Sequence, residues 1–209
     1  MSVQAANDPK TLNHAVHLLQ EGGLVIVPTE TVYGMAVLAD HGPAISRIYA
    51  IKGRSMDKAL LAHIDGAPMA ARLGQLSELA HALIAQFWPG PLTLIVPKHD
   101  NAAVHPLASG GLASIALRCP DHAFTTQLIR QLGQPILAPS ANLAGAAPPV
   151  QVSDISNHIT QHVDMVVDGG RCVGGQASTL LDLCSSPPKI LRQGGISRKT
   201  LKEVCGELG

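Results

Sequence analysis

Side chains that could bind an anion occur in this sequence where short hydrophobic runs end. They are basic, hydroxyl and amide residues, and the set comprises Thr29, Thr31, Lys52, Arg54, Lys58, Arg118, Ser140, Asn142 and Arg192. In open α/β sheets the loops that follow the strands converge on one crevice, and ligands bind there. Guanidinium and ammonium groups combined with hydroxyl donors suit a polyphosphate. The pattern therefore predicts an anion-binding site where several strands end.

Each of these motifs also has a purely structural explanation when it is taken alone. Lys52 and Arg54 are typical of solvated loop charges, and the run Ser140-Ala141-Asn142 is typical of a turn or a helix cap. The segment 28–34, which reads PTETVYG, is more distinctive. A turn of small hydroxyl residues after an apolar strand has few structural reasons to carry both a glutamate and a tyrosine, so we interpret this segment as part of a site.

Other common sites are not indicated by the sequence. It contains neither G-x-x-x-x-G-K-[ST] nor a G-x-G-x-x-G after a predicted strand, and the nucleophile elbow G-x-S-x-G is also missing. His158 and His162 have no evident third ligand, so we interpret them as a solvated helix face and expect no metal ion held by the protein. Widely separated cysteines without a C-x-x-C pair are predicted to be reduced thiols, namely Cys119, Cys172, Cys184 and Cys205.

Composition restricts the class of protein further. Hydrophobic residues make up 46% of the 209 residues and charged residues only 14%, which excludes a disordered chain; aromatic residues are 2%, which predicts an aliphatic core. The 15 Lys and Arg residues balance the 15 Asp and Glu residues, so no overall field attracts nucleic acid or a membrane. No apolar run is long enough to span a bilayer, and the N-terminus does not read as a signal peptide. We therefore expect a cytoplasmic protein with no membrane partner.

Helix-like and strand-like segments alternate along the chain, and these elements must position the polar residues. Short apolar runs predict strands at 24–27, 59–64, 92–96, 114–118, 136–138, 165–167, 178–182 and 190–191. Caps and helical spacing predict helices at 9–21, 44–51, 76–87, 124–132, 154–161 and 198–205. Ser153 is the predicted cap of the fifth helix and Ser197 that of the sixth. No linker or repeat divides the chain, so we predict a single α/β domain over residues 1–209.

Seven sequence blocks, taken together, resemble one known family. They read GGLVIVPTETVYGMA, IYAIKGRSMDKALLAHI, FWPGPLTLIV, IALRCP, ILAPSANLAGA, STLLDL and ILRQGGIS, in the order found in the YrdC-like threonylcarbamoyl-AMP synthases. The resemblance implies a twisted mixed sheet flanked by helices around a deep, positively lined cleft. It also implies an enzyme that condenses L-threonine, bicarbonate and ATP into threonylcarbamoyl-AMP and releases pyrophosphate, the first step toward threonylcarbamoyladenosine in tRNA.

The same resemblance assigns residues to two substrates. The residues expected to bind ATP are Lys52, Arg54, Lys58, Ser114, Ser140, Asn142 and Arg192. Lys52 and Arg54 are also expected to be catalytic, because they would neutralise charge on the phosphates. The residues expected to bind L-threonine are Thr31, His63, Arg118, Ala138 (through its backbone) and Ser178. Mg²⁺ is expected with ATP as a substrate-bound ion, and the expected partner is the transferase machinery that modifies tRNA.

The sequence departs from the commonest pattern of this family at a few positions. Lys58 replaces the usual asparagine, Ala144 replaces a serine, and Pro148 occupies a position where serine is common. We expect Lys58 still to suit a phosphate group, and we expect the changes at Ala144 and Pro148 to alter contacts from their loop. The sequence also ends soon after the last matching block, which predicts that the extra C-terminal domain of the longer members is absent.

Two other functions stay open at this point. A non-catalytic, RNA-binding member of the same superfamily is compatible with basic residues near the C-terminus, which are Lys189, Arg192, Arg198, Lys199 and Lys202. Zero net charge, the scarcity of aromatic residues and the Thr-Glu-Thr turn argue against RNA binding as the sole function. A carbamoyl-handling domain, like those in larger carbamoyltransferases, shares the fold but would need a second catalytic domain to receive its product.

Overall fold

Ten strands form one mixed sheet across residues 2–209, the part of the chain that the computed structural model describes. The strands are β1 (Ser2–Ala5), β2 (Val25–Val27), β3 (Gly34–Leu38), β4 (Ala62–His63), β5 (Leu92–Pro97), β6 (Ser114–Arg118), β7 (Ile136–Leu137), β8 (Met165–Asp168), β9 (Thr179–Asp182) and β10 (Lys189–Arg192). The helices are α1 (Pro9–Gln20), α2 (Gly42–Lys52), α3 (Ala67–Leu73), α4 (Glu78–Phe87), α5 (Pro106–Ser109), α6 (Ala123–Leu132), α7 (Asn157–Thr160) and α8 (Arg198–Cys205).

The sheet combines parallel and antiparallel neighbours. Its strand order is β1-β8-β2-β3-β7-β4-β6-β5-β9-β10. The pairs β1–β8, β2–β8, β4–β6 and β5–β9 are parallel, and the other neighbours are antiparallel. Helices flank this sheet, so the predicted α/β class with a mixed sheet is confirmed.

Aliphatic side chains fill the core, as the composition predicts. Strands β2 and β3 are buried at every position, so neither shows the alternation of a strand with one exposed face. Helices α1 and α2 pack against β3, and their buried faces carry Leu19, Ile45 and Ile48. Burial of each such side chain stabilises the fold by about 1.5–3 kcal/mol. The central strands that carry the site residues are therefore held on a rigid support.

Side-chain caps begin the first and last helices, and the cap of the last helix is the predicted Ser197. The Asp8 carboxylate accepts a hydrogen bond from Lys10 N (2.9 Å) ahead of α1. Ser197 Oγ accepts one from Thr200 N (3.1 Å) ahead of α8. Each cap satisfies a backbone N–H group that has no partner within the first turn of its helix.

The prediction that Ser153 caps a helix over 154–161 is wrong. Residues Val152–Asp154 form a single turn of 3₁₀ helix, and α7 begins only after Ser156, whose Oγ accepts a backbone N–H group (3.4 Å). Ile155 separates the two segments, because its backbone is extended and its side chain is buried in the core. The helical spacing in this region is thus interrupted by one residue with a packing role.

Some elements are shorter than predicted or have no predicted counterpart. The strand expected over 59–64 is reduced to β4, and β1, β3, α3 and α5 are additional elements. Strand β3 is not predicted, because the segment before it has the residues of a turn. The strand itself begins with a glycine, which weakens a strand signal. Its Gly34 forms an isolated antiparallel bridge with Ser140, so β3 brings two of the predicted polar loops together.

Two further features bear on the class of protein. Within residues 2–209, every helix falls short of the length and apolar character needed to cross a membrane. The four cysteines are free thiols, with Cys119 and Cys172 buried, in agreement with the sequence prediction. Burial raises the pKa of Cys119 to about 11, so this thiol is inert at neutral pH.

Candidate functional site

A cavity brings together polar side chains that are far apart in the sequence. The polar residues that line it are Thr29, Thr31, Arg54, His63, Thr93, Arg118, Ser140, Ser178 and Arg192. They come from the loops after β2, α2 and β7, from strands β4, β5, β6 and β10, and from the residue before β9. Basic and hydroxyl groups thus converge on one place, as the pattern of polar residues after hydrophobic runs predicts.

The turn after β2 is organised by the hydroxyl group of Thr29. Thr29 Oγ1 donates to Val32 O (2.6 Å) and accepts from Val32 N (3.1 Å) and Thr31 N (3.2 Å). Thr31 Oγ1 lies 2.8 Å from Thr29 Oγ1. Because the one proton of the Thr29 hydroxyl goes to the Val32 carbonyl, Thr31 must donate in this pair. The remaining lone pairs of Thr31 Oγ1 are therefore acceptors at the cavity.

Arg118 is buried beside this turn and is held by an ion pair. Its side chain is 3% exposed, and its Nη2 atom lies 2.6 Å from Glu30 Oε1. Glu30 Oε2 accepts from Asp121 N (3.1 Å), and Arg118 Nε donates to Gly90 O (3.2 Å). These contacts fix the plane of the guanidinium group. Its Nη1 group has no hydrogen bond within residues 2–209 and can therefore donate to a ligand.

A second hydroxyl pair lines the cavity next to Arg192. Ser178 Oγ lies 2.7 Å from Thr93 Oγ1 and accepts from Arg192 Nη2 (3.2 Å). Arg192 Nε also donates to Ser178 O (3.0 Å), so the guanidinium group binds this residue at two points. The loop after β10 is held by Thr179, whose hydroxyl donates to Ile196 O (2.9 Å) and accepts from Ile196 N (3.1 Å). Arg192 is thereby kept in a defined place.

Lys52, which is predicted to contact ATP, lies behind the cavity wall. The residue is 4% exposed, and its Nζ donates to Ser140 O and to Asn142 O, the latter at 2.6 Å. Burial and the nearby charge of Arg54 lower the pKa of Lys52 to about 8. In the structure Lys52 therefore positions the loop after β7, and its direct contact with a phosphate group stays a prediction.

Arg54 reaches the cavity from the loop after α2. Its Nη2 group donates to Ala59 O (2.9 Å), and its Nε group donates to Lys58 O (3.4 Å), so the loop wraps around the guanidinium group. Gly53 allows this path, because it ends α2 with a left-handed φ of 59°. The Lys58 side chain is exposed and does not line the cavity, so its predicted contact with ATP stays a prediction.

The remaining residues predicted to bind ATP differ in their relation to the cavity. Ser140 lines it, whereas Asn142 folds back on its own loop, where Nδ2 donates to Ala146 O (2.6 Å). Ser114 begins β6, and it shares a strand face with Arg118 at a distance of roughly 13 Å, from the rise per residue of a strand. Only an extended ligand could contact both of these residues.

His63 and Ala138 form a buried part of the cavity. His63 is 2% exposed, and its Nδ1 atom has no hydrogen-bond partner within residues 2–209. Burial and the charge of Arg118 lower the pKa of His63 well below its usual value, so the imidazole is neutral at pH 7. A Cβ atom on Gly34 would lie 3.0 Å from Ala138 O, so this glycine allows the close approach of its strand to the loop after β7.

Three guanidinium groups line the cavity in a chain whose formal net charge is zero. They belong to Arg54, Arg118 and Arg192. Partial burial lowers the pKa of Arg192, and repulsion from the charges of Arg118 and Arg54 lowers it further. A ligand that carries several negative charges would relieve this repulsion.

All the residues predicted to bind L-threonine line the cavity, and so do Arg54, Ser140 and Arg192 of the predicted ATP set. Thr93 has no predicted role, and Glu30 is predicted only as a member of the segment 28–34 that is interpreted as part of a site. Thr93 could have been recognised from its position inside the otherwise apolar run LTLIV. A buried polar residue on a strand needs a hydrogen-bond partner, which indicates a polar site nearby. Glu30 stands in the distinctive Thr-Glu-Thr turn, but nothing in the sequence reveals that it pairs with Arg118.

The chain is similar to known proteins of one family. Residues 17–194 match the Sua5/YciO/YrdC family, whose description is telomere recombination. A threonylcarbamoyl-AMP synthase of Bacillus subtilis is 38% identical over 205 residues, which cover 98% of this chain and 59% of that protein. A threonylcarbamoyl-AMP synthase of Photobacterium profundum is 32% identical over 193 residues, which cover 88% of this chain and 98% of that protein. The crystal structure of Pyrococcus abyssi Sua5 with L-threonine matches with a TM-score of 0.90 at 35% identity, covering 100% of this chain and 62% of that one.

These relatives differ from the chain in length. It spans about three fifths of the Bacillus subtilis and Pyrococcus abyssi proteins, whereas the Photobacterium profundum protein is matched along almost its whole length. The match to the family extends over every residue that lines the cavity. The similarity therefore includes the candidate site as well as the fold.

Proposed function

This chain belongs to the Sua5/YciO/YrdC family, and from that premise we propose that it is a threonylcarbamoyl-AMP synthase. The proposed reaction condenses L-threonine, bicarbonate and ATP into threonylcarbamoyl-AMP, with pyrophosphate and water as the other products. Relatives of this name match the chain over most of its length. The observation that carries the proposal is the convergence of three guanidinium groups and two hydroxyl pairs on one cavity.

The amino-acid substrate is assigned to the part of the cavity around Arg118. Glu30 already fixes the guanidinium group, and its Nη1 group is suited to bind the carboxylate of L-threonine. Thr31 Oγ1 is an acceptor and suits the substrate hydroxyl group. The neutral imidazole of His63 adds no positive charge beside the substrate amine. A relative, Sua5 of Pyrococcus abyssi, forms a complex with L-threonine, which supports L-threonine as the amino-acid substrate.

The chemistry requires two bond-forming steps. The amine of threonine first attacks the carbon of bicarbonate, which loses water and leaves a carbamate on the nitrogen. A carbamate oxygen then attacks the α-phosphorus of ATP, and the bond to the β-phosphate oxygen breaks to release pyrophosphate. The second step depends mainly on alignment and on neutralisation of charge. A cavity rich in arginine and hydroxyl groups supplies both.

The nucleotide is assigned to Arg54, Arg192 and the loop that carries Ser140. The two guanidinium groups are suited to neutralise the phosphates as pyrophosphate leaves, and Lys52 contributes by fixing the loop. Within residues 2–209, no group of three or more His, Cys, Asp or Glu residues could hold a metal ion. We propose that Mg²⁺ arrives with ATP and that phosphate oxygens and water supply its ligands.

Release of pyrophosphate tests the proposed reaction. The purified protein is incubated with ATP and Mg²⁺, with and without L-threonine and bicarbonate. We expect release that requires both substrates. Arg54→Ala is expected to slow this release by about 10²- to 10³-fold, the usual loss for one preorganised charge donor. Arg72→Ala is the matched control, because it removes an exposed arginine of α3 that does not line the cavity. Equal rates in the two variants would contradict the assigned site.

Measurements of nucleotide and RNA binding, made beside this assay, could lead to two different conclusions. Failure to bind nucleotide, together with RNA binding that weakens steeply with salt, would make the protein an RNA-binding member of the superfamily. Nucleotide binding without pyrophosphate release would mean that a partner is required. The product is an unstable adenylate, so we propose that it passes to the transferase machinery that modifies tRNA in the cytoplasm.

A further inference from the structure

The two hydroxyl pairs in the cavity differ in what they can offer a ligand. In the first pair, Thr31 donates its proton to Thr29, so Thr31 Oγ1 can only accept a further hydrogen bond. The second pair consists of Thr93 Oγ1 and Ser178 Oγ, 2.7 Å apart. Its two oxygens carry two protons, and one of these lies between them. The first pair therefore presents an acceptor, and the second has one proton left to donate.

The surroundings of the second pair direct this proton to the cavity. Arg192 Nη2 donates to Ser178 Oγ (3.2 Å), and a guanidinium group cannot accept a proton in return. No other acceptor for either hydroxyl group occurs within residues 2–209. Thr93 and Ser178 are each 1% exposed, so bulk water does not compete for the bond. The spare proton is therefore available to a ligand in the cavity.

We propose that Thr93 determines specificity for a ligand hydroxyl group, as a positioning residue that acts together with Ser178. A hydroxyl group on the ligand can donate to Thr31 and accept from the Thr93–Ser178 pair at the same time. A methylene group in its place would leave a buried donor and a buried acceptor without partners. The inference rests on the proposed function, in which L-threonine is the ligand, and it names a residue that selects the substrate hydroxyl group.

The test compares binding of L-threonine with binding of L-2-aminobutyrate, which lacks only the hydroxyl group. Calorimetry gives the two dissociation constants for the protein and for Thr93→Val, whose side chain has the same shape without a hydroxyl group. We expect the unaltered protein to prefer L-threonine by at least about 100-fold and Thr93→Val to lower this ratio about 10-fold, as the loss of one buried hydrogen bond predicts. Thr93→Ser retains the hydroxyl group and is expected to keep the preference.

Two further variants separate this role from a general effect on packing. Thr11→Val is the matched control, because Thr11 is fully buried in α1, its hydroxyl group has no partner in the described chain, and it does not line the cavity. The ratio is expected to be unchanged in this control. The double variant Thr93→Val/Ser178→Ala is expected to lose less than the product of the two single effects, because the two hydroxyl groups act as one unit. Thr93→Ala replaces Thr93→Val if thermal melting shows that the latter does not fold.

The outcomes distinguish this proposal from the proposed function. An unchanged ratio in Thr93→Val, or equal losses for both ligands, would overturn the specificity role, because a merely structural residue affects both ligands alike. An unaltered protein that binds both ligands equally, or binds neither, would overturn it as well. If Thr93→Val lowers the preference for L-threonine but the protein releases no pyrophosphate, the role of Thr93 holds although the proposed reaction is not supported.

Discussion

Removal of the Glu30 carboxylate tests whether its ion pair with Arg118 holds the cavity together. Glu30→Ala leaves a guanidinium group that is 3% exposed without the partner that lies 2.6 Å from it. Breaking a buried pair by removal of one partner costs about 3–5 kcal/mol. Glu30 itself is 14% exposed, so water compensates part of the lost interaction. We therefore expect a loss of about 3 kcal/mol in the free energy of unfolding.

Urea denaturation measures this loss directly. In a domain of this size, about 3 kcal/mol lowers the melting temperature by roughly 6–12 °C. The double variant Glu30→Ala/Arg118→Met replaces the remaining charge with an apolar side chain, so we expect it to recover most of the loss. Glu30→Gln keeps an acceptor for Asp121 N but removes the charge, and its cost should lie between those of Glu30→Ala and the unaltered protein.

A small effect would refute this reasoning. A loss below about 1 kcal/mol in Glu30→Ala is what an exposed ion pair gives, and it would mean that solvent reaches Arg118. Failure of the double variant to recover stability would show that the cost arises from the lost hydrogen bond of the turn rather than from an unpaired buried charge.

Two further outcomes concern the loop after β10 and the lysine behind the cavity. Gly194→Ala should destabilise the protein by about 1–3 kcal/mol and weaken nucleotide binding, because its Cβ would lie 2.3 Å from Ala177 O. Gly195→Ala is the control, because its Cβ would lie 3.5 Å from the nearest neighbouring atom. Denaturation should show that Gly195→Ala is as stable as the unaltered protein. The pKa of Lys52 falls from 10.5 to about 8 on folding, so at a pH between these two values the unfolded chain binds more protons than the folded chain. The contribution of Lys52 to stability therefore increases as the pH rises from the lower value to the higher one. Urea denaturation midpoints at about pH 7.5 and about pH 9.5 should rise with pH more in the unaltered protein than in Lys52→Met. An equal change of the midpoint with pH in the two proteins would contradict this prediction.

The parts of the fold that the sequence predicts are those whose signals are local. The Asp8 and Ser197 caps act within one turn of their own helices, and the strand 114–118 has an apolar centre at 115–117, so each is evident without its neighbours. Strand β3 depends on a partner from a distant segment, since it pairs with β7 as well as with the nearby β2. The turn residues before it dominate the local pattern, and only the pairing shows that a strand follows.

The candidate site divides in the same way. Residue types and their position at the ends of predicted elements predict that Arg54 and Arg118 converge, but the sequence does not show the direction of each side chain. Lys52 ends α2 and turns toward the carbonyl groups of the loop after β7, whereas Arg54, beyond the left-handed Gly53, turns into the cavity. Two basic residues that are two positions apart thus have different roles, because the backbone points their side chains in different directions.

The partners of the cations divide the cavity into two parts. Arg54 and Arg192 are held mainly by carbonyl and hydroxyl oxygens, which orient a guanidinium group without neutralising it. Arg118 is held by the Glu30 carboxylate, which cancels its charge at short range. A polyphosphate gains most from cations that keep their full charge, whereas a zwitterionic amino acid needs oriented donors more than net charge. The choice of oxygen partners therefore suits one part of a single cavity to a nucleotide and the other to an amino acid.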